Sequence, residues 1–179
     1  MDIWCPVLSE HARTWEHCRE RQRAGEHVWW YVCVVPGPPY PNCMLTNDPV
    51  DARALSWMQV KYGIEGELYW STTFFEGNVW EKATPSPGDG YLCYPGKPVG
   101  REGPVTCIRA ERIRDAKEDI ELIWLLRQLA AGEGREARAE RVIRRALDQV
   151  VTNHTQYSKE DAAYDAARQA IVDEIIRLQ

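Results

Sequence analysis

The sequence predicts an α/β chain built on parallel strands, and three observations carry that prediction. The apolar runs "DIWCPV", "HVWWYVCVV" and "EGELYWST" alternate with stretches of helical length. The second run is apolar on consecutive positions, which marks a strand covered on both faces, as in a parallel sheet flanked by helices. The longest loops follow the second and third runs, where connections in βα architectures carry ligand sites. With 179 residues and 44% hydrophobic content, the chain has enough apolar surface for one domain or a little more.

The elements follow in order. After the strand at residues 2–7, "SEHARTWEHCRERQRAG" reads as a helix with Ser9 as N-cap and Gly25 just past its end. The strand at 27–35 leads into "PGPPYPNCMLTND", a loop, because its prolines fit neither a central strand nor a helix interior. "PVDARALSWMQVKYG" is a helix capped by Asp48, opened by Pro49 and closed by Gly63. The strand at 65–72 completes βαβαβ, which implies right-handed crossovers. From Phe74 to Gly103 the chain is loop-rich, with one more short strand in "GYLCYPG". A long helix then lies between Pro104 and Gly132, with Ile113, Ile120, Ile123, Trp124 and Leu126 near helical spacing. Two more helices are predicted at 135–150 and 158–178. The division this implies is a βα unit over 1–131 and a helical C-terminal extension over 132–179.

Charge and motifs exclude several functions. A net charge of −5 supplies no basic field for nucleic acid. The Arg-rich "GREARAERVIRRAL" is interleaved with Glu and reads as a solvated helix face with i,i+4 pairs. The six cysteines form no C-x-x-C pair and no Cys/His cluster of zinc spacing, so reduced thiols are expected, with no metal and no cofactor. No Gly-rich loop opens a helix, and no G-x-S-x-G occurs. The N-terminus has no signal-peptide pattern and no apolar run approaches membrane-spanning length, so a cytoplasmic chain without a membrane partner is the default expectation.

The stretch "GELYWSTTFFEGNVW" places aromatics, hydroxyls and a carboxylate where a strand opens into a loop. Eight Trp and eight Tyr against two Phe is a choice that suits amphipathic ligands. Sugar rings offer C–H faces for stacking and hydroxyls for hydrogen bonds, so a carbohydrate fits this set. Aromatic packing beneath a long loop is the alternative.

Five phrases occur here in one order: "AGEHVWWYVCV", the loop with "YPN", "GIEGELYW", "GDGYLCYPG" and "GPVTCIRAERIRDAKEDIELIWLL". Together they resemble the C-terminal half of the catalytic domain of glycoside hydrolase family 123 and related bacterial proteins, from about Asp2 to Leu129. The resemblance implies part of a (β/α)₈ TIM barrel and activity on β-linked N-acetylgalactosamine. It also implies substrate-assisted hydrolysis: the sugar's 2-acetamido group attacks the anomeric carbon, an Asp orients it, and an adjacent Glu is the general acid. The departure is that the family's Asp-Glu pair lies upstream of the matching part. The one Asp-Glu here, Asp173-Glu174, falls within a predicted amphipathic helix and reads as a solvated face.

The expected substrate contacts are therefore Tyr31, Asn42, Tyr69 and Trp70, with Trp4 and Glu76 beside them, and no catalytic residue. Trp70 would stack, Tyr31 and Tyr69 would bond the acetamido region, and Asn42 would meet sugar hydroxyls. Arg109, Glu111, Arg114, Asp115, Glu118 and Asp119 match the family phrase, but their helical spacing reads as structural ion pairs and loop anchors, so that Arg114→Ala should lower the melting temperature. Four strand candidates cannot close an eight-stranded barrel. The expected partners are accordingly a carbohydrate and either the missing N-terminal half of the barrel or a second copy of the chain. A non-catalytic carbohydrate-binding or assembly module on the same fold is the alternative.

Overall fold

The computed structural model describes the chain except at residues 1–2, 75–76, 82–85, 87 and 132–133. Three parallel strands, β1 (Ile3–Trp4), β2 (His27–Val32) and β3 (Gly66–Tyr69), form an open sheet in the order β1-β2-β3. Helix α3 (Pro49–Tyr62) crosses from β2 to β3, while α1 (Leu8–Arg13) and α2 (Trp15–Arg23) cross from β1 to β2. The helix expected over 9–25 is divided at Thr14. Its hydroxyl donates to the Glu10 carbonyl at 2.7 Å, a local bond that competes with the helical ladder. Ser9 lies inside α1 rather than capping it. Pro49 opens α3 and Gly63, at φ +64°, closes it; the Asp48 side chain caps nothing and instead faces Lys159 at 3.5 Å.

The strand expected in "GYLCYPG" forms as β4 (Cys93–Pro95) but does not join the parallel sheet. It pairs antiparallel with β5 (Pro104–Thr106) in a separate ribbon. Pro95 lacks an N–H and suits such an edge better than a sheet interior.

Opposed residues of a parallel pair share a face. The register Trp4↔Val28, Trp30↔Glu67 and Val32↔Tyr69 therefore sets one face of the sheet, and Ile3↔His27, Trp29↔Gly66 and Tyr31↔Leu68 set the other. Val28, Trp30 and Val32 are fully buried against the helices. Trp29 and Tyr31 are half-buried, and His27, Ile3 and Leu68 are exposed. The consecutive apolar run of β2 is thus covered on one face only, because the described residues supply no layer for the other. Gly66 is needed where it stands, since a Cβ there would come within 2.5 Å of the Trp29 indole.

α3 is buried along Val50–Gln59, on all sides. α4 (Ile108–Ala131), α5 (Glu136–Val150) and α6 (Asp161–Leu178) pack around it, with the hairpin of β6 (Val151–Asn153) and β7 (Gln156–Tyr157). Ile143, Val151, Tyr164 and Ile171 belong to the same core as Leu55, Trp57 and Ile123. The charges of α5 reach across helices rather than along one: Arg127 of α4 pairs with Glu140 at 2.7 Å, and Arg138 pairs with Glu174 of α6 at 2.5 Å.

Candidate functional site

The loops beyond β2 and β3 are fixed by side chains aimed back at backbone. Asn42 is buried; its amide donates to the carbonyls of Cys33 and Pro36, each at 2.9 Å, and its Oδ1 accepts from the Cys43 amide at 2.7 Å. Tyr69 points to the helix-covered face, where its hydroxyl donates to the Gly88 carbonyl at 3.2 Å and accepts from the Gly90 amide at 3.0 Å. Burial raises the Tyr69 phenol well above its ordinary pKa, so it remains a neutral donor. The polar atoms of both residues are engaged inside the protein.

Trp70 takes the outward position at the end of β3. Its ring rests on Gly90, its indole N–H donates to Asp89 Oδ1 at 2.9 Å, and the Phe74 ring lies 4.8 Å away, tilted by 55°. Trp70 is 46% exposed and Phe74 53%, so the pair presents an accessible aromatic platform. Tyr31 lies on the open sheet face, with Leu68 beside it in register. Trp80 and Tyr94 make a second aromatic pair 5.0 Å apart, with the Trp80 indole donating to the Pro95 carbonyl at 2.8 Å.

Trp4 is not brought to this region. It occupies the opposite face of the sheet from Tyr31, donates to Glu26 and lies beneath the Arg21 guanidinium. Sequence alone could not place it, because a two-residue strand leaves the register open. Glu76 lies outside the described residues. Glu67 points to the helix face and binds Lys117 at 3.2 Å; burial raises its pKa against the pull of that lysine.

Arg109 is the organising residue behind the platform. Its buried guanidinium donates to the carbonyls of Cys43 at 2.5 Å, Gly88 at 2.8 Å and Tyr91 at 2.7 Å, and to the Tyr94 hydroxyl at 3.2 Å. It therefore ties the Asn42 loop to the 88–94 loop on which Trp70 rests. The helical spacing of Arg109 pointed to loop anchoring, but nothing local identified which loops. Phe74 stood in the aromatic stretch with Trp70 and Asp89 in "GDGYLCYPG", but nothing local joined Asp89 to the Trp70 indole nineteen residues away.

No adjacent carboxylate pair faces the platform among the described residues. Asp173 is exposed as expected, but Glu174 is buried and accepts from Arg138 and Arg177, so it is a structural anchor rather than part of a solvated face. The Arg138 hydrogen bond, the largest cause, holds its carboxyl below the ordinary range. Among the described residues no three His, Cys, Asp or Glu gather as metal ligands, and no helix is long and apolar enough to cross a membrane.

The arrangement is one aromatic wall at the carboxyl end of parallel strands. The fold is similar to that of a family 123 glycoside hydrolase from Clostridium perfringens, whose structure was solved in a study of glycolipid glycan hydrolysis. The match has a TM-score of 0.70 at 21% identity and covers 99% of this chain. The chain spans 32% of the length of that relative. The structural likeness thus extends through α5 and α6, which the sequence phrases did not reach. No curated protein matches the chain. The glycoside hydrolase 123 catalytic domain matches residues 2–126, and the chain belongs to that family.

Proposed function

We propose that this chain supplies one wall of a carbohydrate site of the family 123 type, on the C-terminal part of a (β/α)₈ barrel, and that it does not catalyse hydrolysis alone. The observation that carries this reading is the Trp70–Phe74 platform, exposed at the end of β3 and fixed from behind by Gly90, Asp89 and Arg109. The substrate class is a glycan with β-linked N-acetylhexosamine, as the family suggests. Trp70 stacks on a sugar face and Tyr31 offers its hydroxyl, while Asn42 and Tyr69 hold the loops that frame them.

The missing acid and the missing acetamido-orienting group explain why the wall is inert by itself. Proton delivery contributes about 10²–10⁴-fold, and orientation makes the intramolecular attack efficient. Contacts that bind substrate and transition state equally give no acceleration. The second reading is a non-catalytic carbohydrate-binding or assembly module on the same fold, for which the exposed aromatic platform alone suffices.

The test uses purified 1–179 with an aryl β-N-acetylgalactosaminide, with and without the part of a family 123 enzyme that this chain does not cover. The expected result is no turnover alone, turnover on adding that part, and tryptophan-fluorescence quenching by N-acetylgalactosamine that is lost in Trp70→Ala. Turnover by the isolated chain that disappears in Glu76→Gln would overturn the reading and make Glu76 a catalytic acid. Sugar binding with no turnover in either arm would favour the second reading.

A further inference from the structure

Asp89 stands in a turn built around it. Gly88 and Gly90, with φ of +89° and +78°, flank it without side chains; a Cβ on Gly88 would lie 2.9 Å from Leu45 Cγ, and one on Gly90 2.5 Å from Trp70 Cζ2. Side chains hold the turn from beneath. The Tyr69 hydroxyl bonds both glycines, the Tyr91 hydroxyl accepts from the Gly88 N–H at 3.0 Å, and Arg109 donates to the Gly88 carbonyl. The Asp89 N–H donates to the Ser86 carbonyl at 3.1 Å. The exposed apolar residues Leu45 and Trp70 thus lie against the two glycines, with one carboxylate between them.

That carboxylate is engaged at one oxygen. Oδ1 accepts from the Trp70 indole N–H at 2.9 Å. Among the described residues Asp89 enters no ion pair and no donor reaches Oδ2, whereas the buried carboxylates of Asp51, Asp119 and Glu174 each meet a cation. An ionised carboxylate has about four acceptor positions, so half-buried Asp89 retains most of its capacity. The indole N–H lies in the plane of the ring, and its bond therefore fixes Asp89 at the edge of the exposed ring rather than over its face. A pyranose seated on that ring buries its C–H face and turns its hydroxyls outward, toward this edge.

We propose that Asp89 determines which sugars the platform admits: Oδ2 accepts from a hydroxyl at the rim of the sugar seated on Trp70, and the same charge excludes a sugar that carries a sulfate or carboxylate at that position. The role rests on the reading of the platform as a sugar seat, and it makes the preferred ligand a neutral glycan. An ionised carboxylate only accepts hydrogen bonds, and so do the oxygens of a sulfate. Placing the two together forfeits the bond and adds like-charge repulsion. Tyr31 cannot discriminate in this way, because its hydroxyl can accept from a sugar hydroxyl or donate to a sulfate oxygen. Asn42 has its amide and carbonyl engaged within its own loop.

The experiment titrates purified 1–179 with methyl β-N-acetylgalactosaminide and with its 4-sulfate and 6-sulfate, followed by NMR, with the Trp70 indole N–H resonance reporting on the ring. The native chain should bind the neutral glycoside about tenfold or more tightly than one of the two sulfates, and the sulfate that is refused identifies the hydroxyl being read. Asp89→Asn keeps an oxygen for the indole N–H but puts an amide donor in place of Oδ2. It should weaken the neutral glycoside about tenfold or more and strengthen the refused sulfate, so that the preference is lost or reversed. Native binding of both sulfates as tightly as the neutral glycoside overturns the proposal. An equal loss of neutral and sulfated sugars in Asp89→Asn also overturns it, since a residue that merely holds Trp70 changes stacking without changing charge preference. Binding that is lost in Trp70→Ala but unaltered in Asp89→Asn overturns the role of Asp89 and leaves the platform standing. Absence of any binding by the native chain, with the Trp70 resonance unmoved, removes the platform and this role with it.

Discussion

Gly90 has no side chain, and the Trp70 ring occupies the space where one would be. A Cβ on Gly90 would stand 2.5 Å from Trp70 Cζ2, and the backbone there has φ +78°. Gly90→Ala therefore combines a clash with left-handed strain, at a cost of about 1–3 kcal/mol. Thermal denaturation should show that loss, and fluorescence should show Trp70 displaced from Asp89. Asn42 illustrates how a residue type can mislead. An asparagine in a proline-rich loop can bond a ligand or its own backbone, and only the folded loop brings the carbonyls of Cys33 and Pro36 to its amide. Tyr69 is parallel: its hydroxyl bonds Gly88 and Gly90, about twenty residues away in sequence.

At the scale of elements, α4 carries charges of two kinds. Asp119 is buried and accepts from Arg53 and from the Trp57 indole N–H, at 2.9 and 2.8 Å, and from Arg168 at 3.2 Å, joining α3, α4 and α6. Asp119→Ala leaves Arg53 buried without its main partner and should cost about 3–5 kcal/mol in chemical denaturation. Arg114 is exposed and pairs along its own helix with Glu111 at 2.6 Å. Arg114→Ala should cost no more than about 0.5 kcal/mol, so the lower melting temperature expected from its spacing will be slight. Helical spacing treats these two residues alike; burial separates them.

The β6–β7 hairpin is joined to α1 by His11 and His154, whose ring nitrogens lie 3.0 Å apart within a box of Trp15, Trp30 and Tyr62. Burial lowers both histidines to about 4, and for His11 the neighbouring His154 adds to that. Both are neutral in the folded state but protonate near 6.5 when unfolded. Their contribution is complete above pH 6.5 and is lost as pH falls toward 4, at up to about 1.4 kcal/mol per pH unit for each group. Stability measured from pH 7 to 4.5 should therefore fall steeply, and His154→Phe should flatten that slope. An equal slope in the variant would assign the loss to other groups.

On the scale of the whole molecule, the core does not stop at residue 131. Ile143, Tyr164 and Ile171 pack in the same cluster as Leu55 and Trp57 of α3. A chain ending at 131 would expose the flank of α3 and should fail to fold, giving aggregation in sedimentation and loss of helical circular dichroism. A soluble, helical 1–131 would instead show that the C-terminal helices form a dispensable layer.

What the sequence determined by itself was local: the βαβαβ order, the positions of α3, α4, α5 and α6, the glycine and proline ends of α3, and the family. Each of these depends on neighbours a few residues apart, through apolar periodicity, capping geometry and ordered phrases. Only the tertiary structure decided that β4 leaves the parallel sheet, that no described residues cover one face of β2, that Trp4 and Tyr31 lie on opposite faces, and that Arg109 supports the platform. Those outcomes depend on strand register and on which distant backbone groups reach a buried side chain, and neither is encoded in any short stretch of the chain.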